Sequence, residues 1–153
     1  MPAKRIGVGD EAPDFTLNTE SGEPVSLREF RGKNPVVLFF YPKDNSPGCT
    51  KEACAFRDNF TAFKEAGAEV LGVSSDSEES HSIFSLSLGL PYRLLSDPEG
   101  KVRQLYGVQR SLGLIPGRVT FVIDKAGIVR LVFSSQLNAE KHAEEALRML
   151  PGL

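Results

Sequence analysis

The sequence predicts an α/β fold, a central sheet covered by helices on both faces. Three observations carry that reading. Val36–Tyr41 is apolar at both alternating sets of positions, as a strand buried on both sides must be, and Ala68–Val73 reads as another buried strand. Stretches with helical spacing alternate with these strands. Near the end, a hairpin-like pair of strands is followed by one more amphipathic stretch.

Taken in order, Gly9–Asp14 is a turn-rich start, and Phe15-Thr16-Leu17 reads as a short strand. A turn at Ser21-Gly22-Glu23 leads to a second strand, Pro24-Val25-Ser26. Ser26 is placed to cap a short helix, Leu27-Arg28-Glu29-Phe30, ended by Gly32 and Pro35. The central strand Val36–Tyr41 runs into a loop from Pro42 to Gly48. From Cys49 the apolar residues Ala53, Phe56, Phe60 and Phe63 share one helix face, until Gly67 stops the helix. After the buried strand Ala68–Val73, Ser75 or Asp76 caps a helix reaching about Leu88, with Glu78 and Glu79 in its first turn. Leu94-Leu95 is a short strand, and Pro98 opens a helix through Leu105. Val119–Asp124 and Ile128–Phe133 pair antiparallel around Lys125-Ala126-Gly127. Asn138 caps a last helix with Ala139, Ala143, Ala146, Leu147 and Leu150 on one face. No repeat, low-complexity tract or linker divides the chain, so residues 1–153 are expected to form a single domain.

Composition narrows the function. The chain has 153 residues, 41% hydrophobic and 25% charged, with a net charge of -2 spread along its length. That gives no basic footprint for a phosphate backbone, so no nucleic-acid partner is expected. The longest apolar run, Val36–Tyr41, is strand-sized, so no membrane span is expected. The first residues, Met1 to Ile6, carry no apolar leader core. A bacterial cytoplasmic protein fits that start, as does a plastid protein after removal of a transit peptide.

Two cysteines, Cys49 and Cys54, enclose only four residues. A bridge there would remove little chain entropy, so any pairing points to chemistry rather than stability. Cys49 falls in the first turn of a helix, just after a buried strand. Free N–H groups and the positive end of the helix dipole favour a thiolate at such a place, and the thiolate is the nucleophile. Cys49 also lies on the inward stripe with Ala53, Phe56 and Phe60, at the bottom of a pocket. A thiolate so placed could attack a peroxide oxygen and become a sulfenic acid. In a regular helix residues i and i+5 are ~140° apart, with Cα atoms roughly 8.5 Å apart. A disulfide needs a Cα separation below about 7 Å. Either Cys54 never meets Cys49, or the first helical turns unwind to join them.

Pro42-x3-Ser46-Pro47-Gly48-Cys49 is similar to the active-site motif of the peroxiredoxins, Pro-x3-Thr-x2-Cys with Ser as a variant. Cys54, five positions on, resembles the peroxiredoxin Q (bacterioferritin comigratory protein) subgroup. The likeness extends over Gly9–Phe15, Cys54–Asp58, Leu95-Ser96-Asp97, Pro116–Asp124 and Glu140-Lys141-His142. It implies a thioredoxin-like fold and a thiol-dependent peroxidase acting on hydrogen peroxide and organic hydroperoxides. By the resemblance Cys49 is the peroxidatic thiolate, and Cys54 resolves its sulfenic acid as an intramolecular disulfide. Arg118 holds the thiolate and the peroxide oxygens, because a guanidinium stays charged and offers donors in a fixed fork. Ser46 hydrogen-bonds thiolate or peroxide, and Pro42 packs over the sulfur. Ser in place of Thr at position 46 keeps the hydroxyl and loses the methyl that restricts its rotamers. The subgroup implies a thioredoxin (or glutaredoxin-type) reductant and a monomer, with no cofactor or metal.

Without the resemblance, Arg118 is a surface residue, Pro42 and Pro47 are loop punctuation, and Ser46 is a turn residue. Arg57 and Asp58 read as a structural pair, and Tyr106 and Phe121 as core. His81 and His142 lie in polar stretches and are expected to face solvent. Two other functions compete. A thioredoxin-type oxidoreductase favours Cys-x2-Cys, and a copper chaperone of similar fold uses Cys-x3-Cys with a distant histidine. One residue of spacing turns the second thiol by ~100° on a helix.

Overall fold

The structure, a computed structural model, describes residues 6–108, 117–136, 138–151 and 153. Pro116 of the last similar segment, and Met1 to Arg5, lie outside them. Seven strands form one mixed sheet: β1 (Thr16–Thr19), β2 (Pro24–Ser26), β3 (Val36–Phe40), β4 (Glu69–Ser74), β5 (Arg93–Ser96), β6 (Val119–Ile123) and β7 (Val129–Ser134). The spatial order is β2-β1-β5-β4-β3-β6-β7. β3, β4 and β5 run parallel, and the pairs at both flanks are antiparallel. Among the described residues five α-helices accompany the sheet: α1 (Pro47–Asp58), α2 (Phe60–Glu65), α3 (Glu78–Leu88), α4 (Lys101–Leu105) and α5 (Lys141–Met149). Among the described residues no helix is long and apolar enough to cross a membrane.

The alternation in β3 sorts the core into two layers, because successive side chains leave opposite faces of a sheet. Val36, Leu38 and Phe40 pack with Leu27, Phe30, Val102, Tyr106 and Phe121. Val37, Phe39 and Tyr41 pack with residues of α1, α2, α3 and α5, among them Cys49, Phe56, Phe63, Phe84 and Ala143. The expected cover on both faces is present. Phe39 stacks on Phe56 with ring centroids 4.3 Å apart, which fixes α1 over β3. Gly72 on β4 makes room for that stack: a Cβ there would come within 2.7 Å of the Phe39 ring.

Several local expectations change. β1 starts one residue later than read and extends to Thr19, because Phe15 turns into the core against Tyr106. The helix expected from Cys49 to Gly67 breaks at Asn59, whose side chain donates to the Ala55 carbonyl beside its own backbone N–H and whose φ and ψ leave the helical range. Ser77, rather than Ser75 or Asp76, caps α3 by accepting from the Ser80 N–H. The Asp76 carboxylate is taken by Ser74 and by the Asp44 N–H. Pro98–Gly100 is a 3-10 turn with Glu99 and Gly100 at positive φ, so a regular helix begins only at Lys101. The last helix begins at Lys141, with Asn138 contributing its backbone carbonyl.

Candidate active site

β3 delivers the chain to the site. Beyond Phe40, the Tyr41 N–H still bonds the Val73 carbonyl, and a short loop then reaches the start of α1. Asn45 sits in the left-handed region at φ 66°, where a short amide side chain is tolerated. Ser46 caps α1: its Oγ accepts from the Cys49 N–H at 3.4 Å and donates to the Lys43 carbonyl at 3.1 Å. The serine hydroxyl therefore serves the loop and helix start rather than the Cys49 sulfur. Pro47 follows at the first helical position, where its missing N–H costs nothing and its φ is already helical. Pro42, in the same loop, is half-buried.

Cys49 is the third helical residue and is 1% exposed. Arg118, at the start of β6, is buried against it and donates from Nη2 to Sγ at 3.3 Å. Gly48 admits the guanidinium, since a Cβ there would lie 3.0 Å from Nη2. The second arm, Nη1, donates to Glu52 Oε1 at 2.6 Å. Burial works against the Arg118 charge, but Glu52 and Cys49 outweigh it and hold the guanidinium charged. The reading of Arg118 as a surface residue is thus wrong: it is buried against the Cys49 sulfur.

Glu52 was not singled out in the sequence, yet it is fully buried. Burial pushes its carboxyl up to about 8, against the opposing pull of Arg118. His142 Nδ1 on α5 lies 3.4 Å from Glu52 Oε2, and burial pushes this imidazole down to about 4. The expectation that both histidines face solvent fails. His142 is held by Thr120 at 2.7 Å and the Ser135 carbonyl at 2.8 Å. His81 is held by Asp44 at 2.7 Å and the Leu95 carbonyl at 3.0 Å. Both sit on the inward stripe of their helices, which outweighs the polarity of their sequence neighbours. The signal was available: Glu52 is three positions after Cys49 and four before Phe56, and His142 is four before Ala146.

Cys54 is half-buried further along the same unbroken helix, and both thiols are free. Shallow grooves between α1 and α5 open beside each: one lined by Pro47, Gly48, Lys51 and Glu144, the other by Lys51, Cys54, Asp58 and Glu140. Arg57 pairs with Asp58 at 3.0 Å, as read, and also donates to the Leu88 carbonyl. Tyr106 and Phe121 are core.

Residues 8–132 match the profile of the AhpC/TSA family. The chain is 52% identical over 150 residues to the chloroplastic peroxiredoxin Q of Sedum lineare, covering 97% of this chain and 80% of that one. Among solved structures, the peroxidoxin BcpB of Mycobacterium tuberculosis superposes with a TM-score of 0.90 at 40% identity, covering 97% of this chain and 99% of the other. A Xanthomonas campestris bacterioferritin comigratory protein, whose structure is described in terms of alkyl peroxide reduction, gives 0.83 at 30% identity over 95% and 96%.

Proposed function

The chain belongs to the AhpC/TSA family, in its peroxiredoxin Q branch with a thioredoxin-like fold, and on that footing we propose that Cys49 attacks the peroxide and Cys54 resolves the product. The protein is a thiol-dependent peroxidase that takes peroxide substrates and is reset by a thiol reductant. What carries the assignment of the attacking sulfur is Arg118 Nη2, 3.3 Å from Cys49 Sγ in the first turn of α1.

Cys49 acts as the thiolate, stabilised by the guanidinium and by the helix start. A sulfur lone pair takes the terminal peroxide oxygen, the O–O bond breaks, and the sulfenic acid and an alcohol or water result. The same guanidinium donates to the oxygens as charge builds on them. Ser46 supports this step by capping the helix that carries Cys49, and Pro42 shields the sulfur from water. The Cys54 thiol then attacks the sulfenic sulfur and expels water. With both residues in one intact helix, their Cα atoms are roughly 8.5 Å apart. Closing the bond therefore requires the start of α1 to unwind once per turnover.

The enzyme works as a monomer built from one domain, residues 1–153, and is recycled by a thioredoxin or a glutaredoxin-type protein. Hydrogen peroxide and alkyl hydroperoxides are its substrates; the alkyl peroxide chemistry of the Xanthomonas relative supports the second class. The chloroplastic names of the plant relatives favour a plastid over a bacterial cytoplasm.

One equivalent of hydrogen peroxide added to the reduced protein tests the assignment. Both thiols should disappear, Cys49→Ser should consume no peroxide, and Cys54→Ser should stop at a trappable sulfenic acid. If both thiols stay free, the assignment is wrong.

A further inference from the structure

The carboxyl of Glu52 has one oxygen more than its surroundings can satisfy. Oε1 accepts from Arg118, while Oε2 is buried without a hydrogen-bond partner among the described residues. What faces Oε2 is Nδ1 of His142, at 3.4 Å. The other nitrogen of that ring, Nε2, lies 2.8 Å from the Ser135 carbonyl, which only accepts, so the ring hydrogen sits on Nε2. Nδ1 of the neutral ring then bears a lone pair and accepts from the Thr120 hydroxyl.

An ionised Glu52 would press a bare carboxylate oxygen against that lone pair, away from water. A hydrogen on Oε2 removes the conflict. Placing it on Nδ1 instead would bury an imidazolium beside Arg118, and burial disfavours the charged forms of both Glu52 and His142. Among the described residues, the remaining ionisable groups near Glu52 are Cys49, one turn before it, and Tyr92, whose hydroxyl donates to the Ala53 carbonyl. Neither offers a hydrogen to Oε2.

We propose that Glu52 is the charge-balancing partner of Cys49: it holds a proton while Cys49 is a thiolate and gives it up when that sulfur is oxidised. The inference rests on Cys49 being the attacking thiolate. In the step, the sulfur lone pair forms the S–O bond and the terminal oxygen keeps its hydrogen. The O–O bond breaks, the departing alkoxide gains a proton, and Glu52 loses one. Thiolate, hydroperoxide and Glu52 acid become sulfenic acid, alcohol and Glu52 carboxylate. Arg118, bonded to both groups, faces one anion before the reaction and one after: once the thiolate charge is gone, the guanidinium's pull falls on Glu52 alone and offsets the cost of a bare Oε2. Glu52 touches neither sulfur nor peroxide, so it is a positioning residue acting through Arg118.

The test is a single turnover of the Cys54→Ser protein with hydrogen peroxide, in weak buffer at neutral pH with an indicator dye. With Glu52 in place, almost no proton should leave solution per sulfenic acid formed. Adding Glu52→Gln should raise the uptake to about one, the proton difference between thiolate and product. A merely structural Glu52 would slow the reaction without changing this count, and equal uptake by both proteins overturns the proposal. A second readout leaves Glu52 untouched. The infrared difference spectrum of the Cys54→Ser protein should lose a buried carboxylic-acid C=O band on oxidation, and its persistence is equally fatal. If neither protein forms sulfenic acid, the assignment of Cys49 has failed and this inference falls with it.

Discussion

Two buried histidine–carboxylate pairs flank the segment that carries Cys49, and they differ in how fully their hydrogen bonds are met. On one side, Asp44 Oδ1 accepts from the Tyr41 hydroxyl, and Oδ2 is bonded by the Ser80 hydroxyl and His81 Nδ1. His81 Nε2 reaches the Leu95 carbonyl. Burial works to raise the Asp44 carboxyl, but the bonds from His81, Tyr41 and Ser80 outweigh it and hold it below the ordinary carboxylate range. On the other side, Glu52 Oε2 and Arg118 Nε have no hydrogen-bond partner among the described residues, and burial prevails. A satisfied buried network fixes geometry, whereas an incomplete one leaves a proton free to move. The first pair anchors the loop to α3; the second reaches the Cys49 sulfur only through Arg118.

The largest expected effect tests the anchor. Asp44→Ala strands Tyr41, Ser80 and His81 inside the protein. Removing one side of a buried, bonded pair should cost about 3–5 kcal/mol in urea unfolding. Glu52→Gln replaces one neutral group by another and should cost far less at neutral pH. Equal losses would dissolve the distinction between the two pairs.

Arg118→Met comes next. Losing a donor aimed at developing charge should lower the rate constant for peroxide by about 10²–10³. The stability of this variant is the sharper number. An ionised Glu52 left alone would cost as much as the broken Asp44 pair, and a neutral one should cost clearly less. Stopped-flow peroxide consumption and urea unfolding of the same sample give both values.

The pH dependence of stability is smaller and has a definite sign. Glu52, raised from 4.5 to about 8, keeps in the folded state a proton that the unfolded chain has already lost. Its contribution is full below 4.5 and disappears as pH rises through about 8. His142, lowered from 6.5 to about 4, contributes above 6.5 and loses this as pH falls toward 4. Between 4.5 and 6.5 the two proton differences cancel, and above 6.5 that of Glu52 is opposed only by the Cys49 thiolate, which Glu52→Gln leaves in place. Measured against Glu52→Gln, stability should therefore fall by about 2 kcal/mol between pH 6.5 and 8. Urea midpoints of both proteins across the interval would show it.

The sequence was most informative where a pattern had a single physical meaning. Val36–Tyr41, apolar at every position, could only be a strand covered on both faces. A cysteine following Ser-Pro-Gly after such a strand had to fall in the first turn of a helix, and α1 begins accordingly. The two histidines were misread because the polarity of their neighbours was weighed above their place on the helix face. Glu52 escaped notice because a lone glutamate on an amphipathic helix is ordinarily solvated. Its burial depends on Arg118, 66 residues away and brought to α1 only by the pairing of β6 with β3. Glu52 shares a helix face with Cys49 and Phe56, a trace that was legible, but the partner that makes its burial tolerable leaves none in one sequence.

The smallest effect concerns where the anchored part of the loop ends and the part that disulfide closure must move begins. Asp44 is fixed, whereas two residues later Ser46 holds the first turn of α1 by one 3.4 Å bond to the Cys49 N–H. Ser46→Ala deletes that cap, at a cost of about 1 kcal/mol to the helix start. If disulfide closure waits for this turn to unwind, the loss should speed the step from sulfenic acid to disulfide about fivefold. Attack on peroxide should slow slightly, because the thiolate is less firmly held. The chain has no tryptophan, so rapid quenching with thiol trapping and mass spectrometry is the suitable readout. Faster closure with slower attack would put the hinge between Asp44 and Ser46. An unchanged closure rate would mean that unwinding is not the slow step, and that the grip on α1 lies at Arg118 instead.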